Sequence, residues 1–199
     1  MDPHCGWCFG FGKVILKIFE HYKNNPSVEF DILPGGLFTR PIFIEKGFAE
    51  NKRPIAARIT ELSGVSFSED YFNVILAEGS FLNSEPPSRA ILVFNKLKHK
   101  EVILFAERLL TIEFEEAKNN SKEETIFEVL EEFEVDVLEF RNYYESQELK
   151  KEVQQKFQMS QNLQTGFPAL ILRKGKEIKK IAGGYAPFER VLKKIESNL

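Results

Sequence analysis

Asp2-Pro3-His4-Cys5-Gly6-Trp7-Cys8-Phe9-Gly10 holds both cysteines of a 199-residue chain, three positions apart, and the reading of this stretch decides the fold. Downstream of it, Phe11, Val14, Ile15, Ile18, Phe19 and Tyr22 recur at i, i+3, i+4 and i+7. That period predicts an amphipathic helix starting at the cysteines and ending near Asn24 and Asn25. Unpaired N–H groups and the positive end of the helix dipole favour a thiolate at such a start, so the pair reads as a redox dithiol. Structural zinc would need four ligands, and no second cysteine pair exists, so neither a metal nor a cofactor is expected.

Outward from the helix, Ser27 to Leu33 alternates Val28, Phe30 and Ile32 and predicts a strand stopped by Pro34-Gly35-Gly36. Helix punctuation follows. Pro54 suits a first turn that Gly64 closes, Ser68 opens a helix that Gly79 closes, and Ser84 with Pro86 and Pro87 opens a third. Helical spacing continues from Glu101 to Ala117, and Asn119-Asn120 breaks it. Ser121 with Glu124, and Asp136 with Glu139, have capping-box spacing, and a longer helix runs from Ser146 to about Leu163. Strand character returns after Gly166. Ala169 to Arg173 and Glu177 to Ala182 read as a hairpin turned at Gly175, and Pro187 begins a last helix through Val191 and Ile195. The chain shows no internal repeat.

With 43% hydrophobic residues, 19 of them Phe, the chain has material for a full core, and a net charge of −3 makes nucleic acid an unexpected partner. Apolar runs such as Ala90–Phe94 fall far short of the roughly 18 residues of a membrane span, so a soluble protein is expected. Only four residues precede Cys5, which leaves no room for a signal peptide and points to the cytoplasm, where close cysteine pairs are catalytic more often than structural. Charge is uneven, −9 over Glu113–Glu139 and +8 over Lys150–Lys194. The plain reading is solvated helix faces; the sharper one is mutual docking or steering of a polar partner.

The order helix, strand, many helices, strand, strand, helix, with the cysteines at the first helix start, resembles a thioredoxin fold split by an all-helical insertion, as in the DsbA-like family and its cytoplasmic branch. The residues that carry the resemblance are the cysteine stretch, Pro86-Pro87-Ser88-Arg89-Ala90, and Thr165-Gly166-Phe167-Pro168-Ala169. It implies an α/β protein with thioredoxin-fold parts at 1–45 and 164–199 around an insertion at 46–163. The implied activity is thiol–disulfide exchange with protein or low-molecular-weight thiols and disulfides. In that family the proline opening the returning strand is cis and lies against the cysteines. By resemblance Pro168 takes this place and leaves the Phe167 backbone free for an incoming peptide.

One feature departs from the pattern: the strand that normally leads into the cysteine pair is missing, since Met1 to His4 are too few to cross a sheet. A start at an internal methionine, a fragment, or a variant whose gap another segment or a partner chain closes would each explain it. Cys5, nearer the helix start and expected to be the more exposed, is the nucleophile, and Cys8 resolves. Gly6 and Trp7 shape the backbone and cover the sulfurs in reach of substrate. His4 either supplies positive charge beside Cys5 or is an idle surface histidine. The insertion is expected to cover the reactive face, with Phe38, Phe43 and Phe81 as groove or core residues. The direction of electron flow, the substrate and the oligomeric state stay open. Two alternatives share the fold: a glutathione-dependent isomerase or kappa-type transferase, which usually has serine at the reactive position, and a binding module without activity.

Overall fold

The computed structural model describes residues 1–163 and 166–199. Its first helix, α1 (Gly6–Tyr22), begins where the cysteines and the apolar period place it. It is buried on several sides, which explains its apolar composition. It packs on α2 (Phe48–Ser63), α4 (Val102–Phe114) and the last helix, α8 (Phe188–Glu196). The predicted hairpin forms as β3 (Ala169–Lys174) and β4 (Glu177–Gly183), antiparallel from Ala169↔Gly183 to Lys174↔Glu177, with a register slip between Leu170 and Ile171. Val191 and Ile195 of α8 join Ile181, Phe11, Val14 and Ile18 in a core between hairpin and helices.

The strand expected at Ser27–Leu33 does not form. The segment is without a ladder partner among the described residues: Val28 N–H donates to the Asn25 carbonyl, and Ile32 N–H to the Asp31 carboxylate. Alternation supplies an apolar edge, but a strand exists only where another strand accepts its backbone groups. A short pair missed in the sequence appears instead, β1 (Ile42–Phe43) with β2 (Phe81–Leu82).

Between them and β3 lie α2, a π-helical turn at Tyr71–Ile75, α3 (Glu85–Leu97), α4, α5 (Glu123–Glu131), α6 (Val137–Tyr144) and α7 (Gln147–Leu163). Several expected boundaries move. Pro54 sits inside α2, which starts earlier, at Phe48. The helix expected over Ser68–Gly79 contracts to the single π turn, and Gly79 instead donates its N–H to the Ile44 carbonyl. Asp136 caps α6 as expected, accepting from Leu138 and Glu139 N–H, but Ser121 caps nothing: α5 starts two residues later. Arg89, from the proline-led start of α3, is buried and stacks on the Tyr144 ring at 3.9 Å while donating to the Tyr144 carbonyl, tying α3 to α6.

The helical core is aromatic. Phe94 and Phe105 stack at 4.2 Å, and Phe133 meets both edge-on. Both stacked rings are fully buried. Phe105→Ala is therefore expected to cost about 3–5 kcal/mol, read as a lower urea midpoint with an unchanged slope.

Candidate active site

Cys5 stands at the cap of α1. Its N–H donates to the Asp2 carbonyl at 3.1 Å, and its carbonyl accepts the N–H groups of Cys8 (2.8 Å) and Phe9 (3.1 Å). This turn brings the two thiols together. The Cys8 thiol donates to the Cys5 sulfur and, against the cost of burial, holds the Cys5 pKa below its ordinary value; the Cys8 N–H and the Met1 ammonium act in the same direction. Burial, followed by the hydrogen bond to Cys5 and the charge on it, pushes the Cys8 thiol well up. The Asp2 N–H lies 3.4 Å from the Cys8 sulfur.

Exposure does not separate the two thiols as the sequence suggested, since Cys5 is 8% and Cys8 3% exposed. What separates them is the cavity each one faces. Cys5, Gly6 and Trp7 wall a cavity of about 420 Å³, closed by Phe38, by Phe48, Lys52 and Ile59 of α2, by Tyr71, and by Gly166 and Phe167. It is apolar apart from Lys52, Tyr71 and the edge of His4. Gly35 allows Phe167 to reach it, because a Cβ there would stand 2.5 Å from the Phe167 ring. Of the expected groove residues only Phe38 lines this cavity; Phe43 is 72% exposed and pairs with Phe81 in the short sheet.

Behind the pair, Cys8 and Pro168 wall a smaller cavity of about 170 Å³ with Phe30, Ile32 and Leu170. The Phe167–Pro168 peptide bond is cis. The two residues thus serve different cavities, Phe167 that of Cys5 and Pro168 that of Cys8. Thr165 lies outside the described residues. Glu107 also faces the smaller cavity, its carboxyl pushed up to about 8 by burial and restrained by the Met1 ammonium. It lies so close to α1 that a Cβ on Gly12 would be 1.9 Å from its Oε2.

His4 is not the surface residue allowed for. Its side chain is fully buried, with Nδ1 2.8 Å from Glu113 Oε1 and Nε2 3.0 Å from both the Asn83 carbonyl and Ser121 Oγ. A carboxylate only accepts, so Nδ1 donates to Glu113, while Nε2 meets both an acceptor, the Asn83 carbonyl, and a hydroxyl, that of Ser121. Burial opposes a positive charge on the ring, but Glu113, Asp2 and the Asn83 carbonyl outweigh it and raise the pKa. Asn120 donates from its backbone to Glu113 and from its side chain to the Pro3 carbonyl. The Asp2 carboxylate accepts from the N–H groups of His4 and Leu37 and from the Ser84 hydroxyl. Residues 1–4 are thereby fixed to the helical segment.

Asp2, Glu113, Asn120, Ser121, Lys52 and Tyr71 were not singled out as site residues from the sequence. The signals existed under other readings: Asn119-Asn120 as a helix break, Ser121 as a cap. His21 and His99 stand away from the cysteines, His99 pairing with Glu29 and Asn95. No three His, Cys, Asp or Glu among the described residues are grouped to hold a metal ion, and no helix among them is long and apolar enough to cross a membrane.

No protein-family model and no curated protein matches the chain. Solved structures do. A candidate protein disulfide isomerase from Nitrosomonas europaea superposes with a TM-score of 0.85 at 23% identity, over 98% of this chain and 93% of that one. The cytosolic disulfide reductase DsbM from Pseudomonas aeruginosa gives 0.76 at 22% identity, over 91% and 86%. Its complex with GSH gives 0.79 at 21%, over 100% and 96%. The chain has the fold of these proteins, a DsbA-like thioredoxin fold interrupted by helices.

Proposed function

We propose that this protein is a thiol–disulfide oxidoreductase in which Cys5 exchanges with disulfides seated in the 420 Å³ cavity and Cys8 resolves the product. The observation that carries the reading is the opposite perturbation of two touching thiols, the lowered one facing the larger cavity. The Cys5 thiolate attacks one substrate sulfur, the substrate S–S bond breaks, and a mixed disulfide forms on Cys5. Cys8 then loses its proton and attacks Cys5, closing the Cys5–Cys8 bond and releasing the second thiol. The reverse sequence oxidises substrate dithiols.

The structures of the same fold described as a disulfide isomerase and a disulfide reductase support this chemistry, and the one with GSH supports low-molecular-weight thiols among the partners. Cavity size and lining agree, favouring a small disulfide or a single peptide side chain with an apolar body. Trp7 and Gly6 border the bound sulfur, Phe167 offers its ring and backbone edge, and His4, held by Glu113, Asn83 and Ser121, fixes the backbone that leads into Cys5. The neighbour described as cytosolic supports a cytoplasmic setting.

The test is the pH dependence of exchange with oxidised glutathione or hydroxyethyl disulfide. Only the thiolate attacks, so the rate should climb with pH through a midpoint below the roughly 8.5 of a free cysteine and level off above it. Thiols inert to both disulfides, or a midpoint at or above the free value, would sink the proposal.

A further inference from the structure

We infer that the Tyr71 hydroxyl donates a hydrogen bond to the leaving sulfur of the disulfide that Cys5 attacks, which makes Tyr71 a catalytic residue. This rests on the oxidoreductase reading above. Tyr71 opens the π-helical turn, where the Leu76 N–H reaches back to the Tyr71 carbonyl at 3.0 Å and Ser68 Oγ accepts the Tyr71 N–H. Such turns occur often at functional sites because the extra residue redirects a side chain. Here the ring is clamped by Phe114, Phe72 and Phe67, with centroids at 4.8, 5.2 and 5.9 Å.

The ring is 7% exposed and lines the cavity of Cys5, yet its hydroxyl has no hydrogen-bond partner among the described residues. The residue is largely buried but its hydroxyl oxygen is not fully enclosed, and an unmet hydroxyl on a side chain that lines a cavity points to a ligand there. The other polar groups on these walls are supplied already. Both His4 nitrogens are engaged, while Lys52 and Trp7 are only partly buried. Burial, Glu113 and the charge on Cys5 push the phenol well up, so it stays protonated as a donor, and Tyr71 and Cys5 line the same cavity.

The step balances without a further reactant. The Cys5 sulfur bonds to the nearer substrate sulfur, and the substrate S–S bond breaks. Its electron pair leaves on the farther sulfur as a thiolate, which accepts the Tyr71 O–H while the proton stays on the phenol.

Tyr71→Phe keeps the ring and removes the donor. Its mixed-disulfide formation is measured with two small disulfides, dithiobis(nitrobenzoate), whose leaving thiol is acidic, and hydroxyethyl disulfide, whose leaving thiol is not. A lost hydrogen bond to the leaving group should slow the second about tenfold and the first by less than about twofold. Fluorotyrosine at 71, a stronger donor of nearly the same shape, should move the hydroxyethyl rate upward. Equal slowing of both disulfides, or of neither, overturns the inference. So does a raised Cys5 pKa, read by thiolate absorbance, with no change in leaving-group dependence, since that puts the hydroxyl on Cys5. A wild-type protein inert to both disulfides would overturn the oxidoreductase reading itself, and this inference with it.

Discussion

Cys8→Ser is expected to collect substrate on Cys5 as a stable mixed disulfide, while Cys5→Ser should stop exchange, a loss on the order of 10³-fold or more. The asymmetry follows from the electrostatics of the pair. At position 5 a serine hydroxyl stays protonated where the thiolate stood, and the remaining Cys8 is a buried thiol held well above its ordinary pKa, facing the smaller cavity. At position 8 a serine still donates to the Cys5 sulfur, so the nucleophile survives, but nothing can displace the substrate afterwards. Intact-mass measurement after incubation with oxidised glutathione reads both results: one adduct on Cys8→Ser, none on Cys5→Ser. Adducts on Cys5→Ser and none on Cys8→Ser would reverse the two roles.

Much of this site is local in sequence, and that part was legible. Two cysteines one turn apart, followed by an unbroken helical period, fix the cap geometry of Cys5 because backbone hydrogen bonds from residues 8 and 9 must close on it. The hairpin and α8 carry their own turn and pattern signals as well. The rest depends on contacts between distant residues, which no local pattern encodes. Ser121 has the spacing of a cap, but its hydroxyl has a better use: it meets the His4 ring and accepts the Asn83 N–H. Tyr71 falls in a stretch whose helical punctuation is genuine, yet Gly79 is drawn into the β1–β2 connection and only a π turn is left. Ser27–Leu33 shows the converse, a strand pattern without a ladder. Local propensity proposes an element, and the surrounding packing decides whether its backbone groups are used that way.

Glu113→Ala should be the most destabilising single change near the site, costing about 3–5 kcal/mol, because it leaves the buried His4 ring without its carboxylate partner. It also strips the Asn120 N–H of its acceptor. Glu113→Gln keeps an oxygen toward Nδ1 and loses only the charge, so it should cost less. The pH dependence separates this account from simple loss of packing. A His4 pKa raised by folding gives stabilisation that is fully present below about 6.5, the unfolded value, and is lost as pH rises through the folded value. The gap in unfolding free energy between wild type and Glu113→Gln should therefore be larger at about pH 6 than at about pH 9. An equal gap at both would mean a neutral His4 and an ordinary hydrogen bond. The pair also links stability to chemistry, since His4 adjoins Cys5 and the residues gripping it, Glu113, Asn83 and Ser121, belong to the helical segment. Loosening that grip frees the cap of α1 from the wall carrying Tyr71. Exchange in Glu113→Ala should then fall even where the protein remains folded.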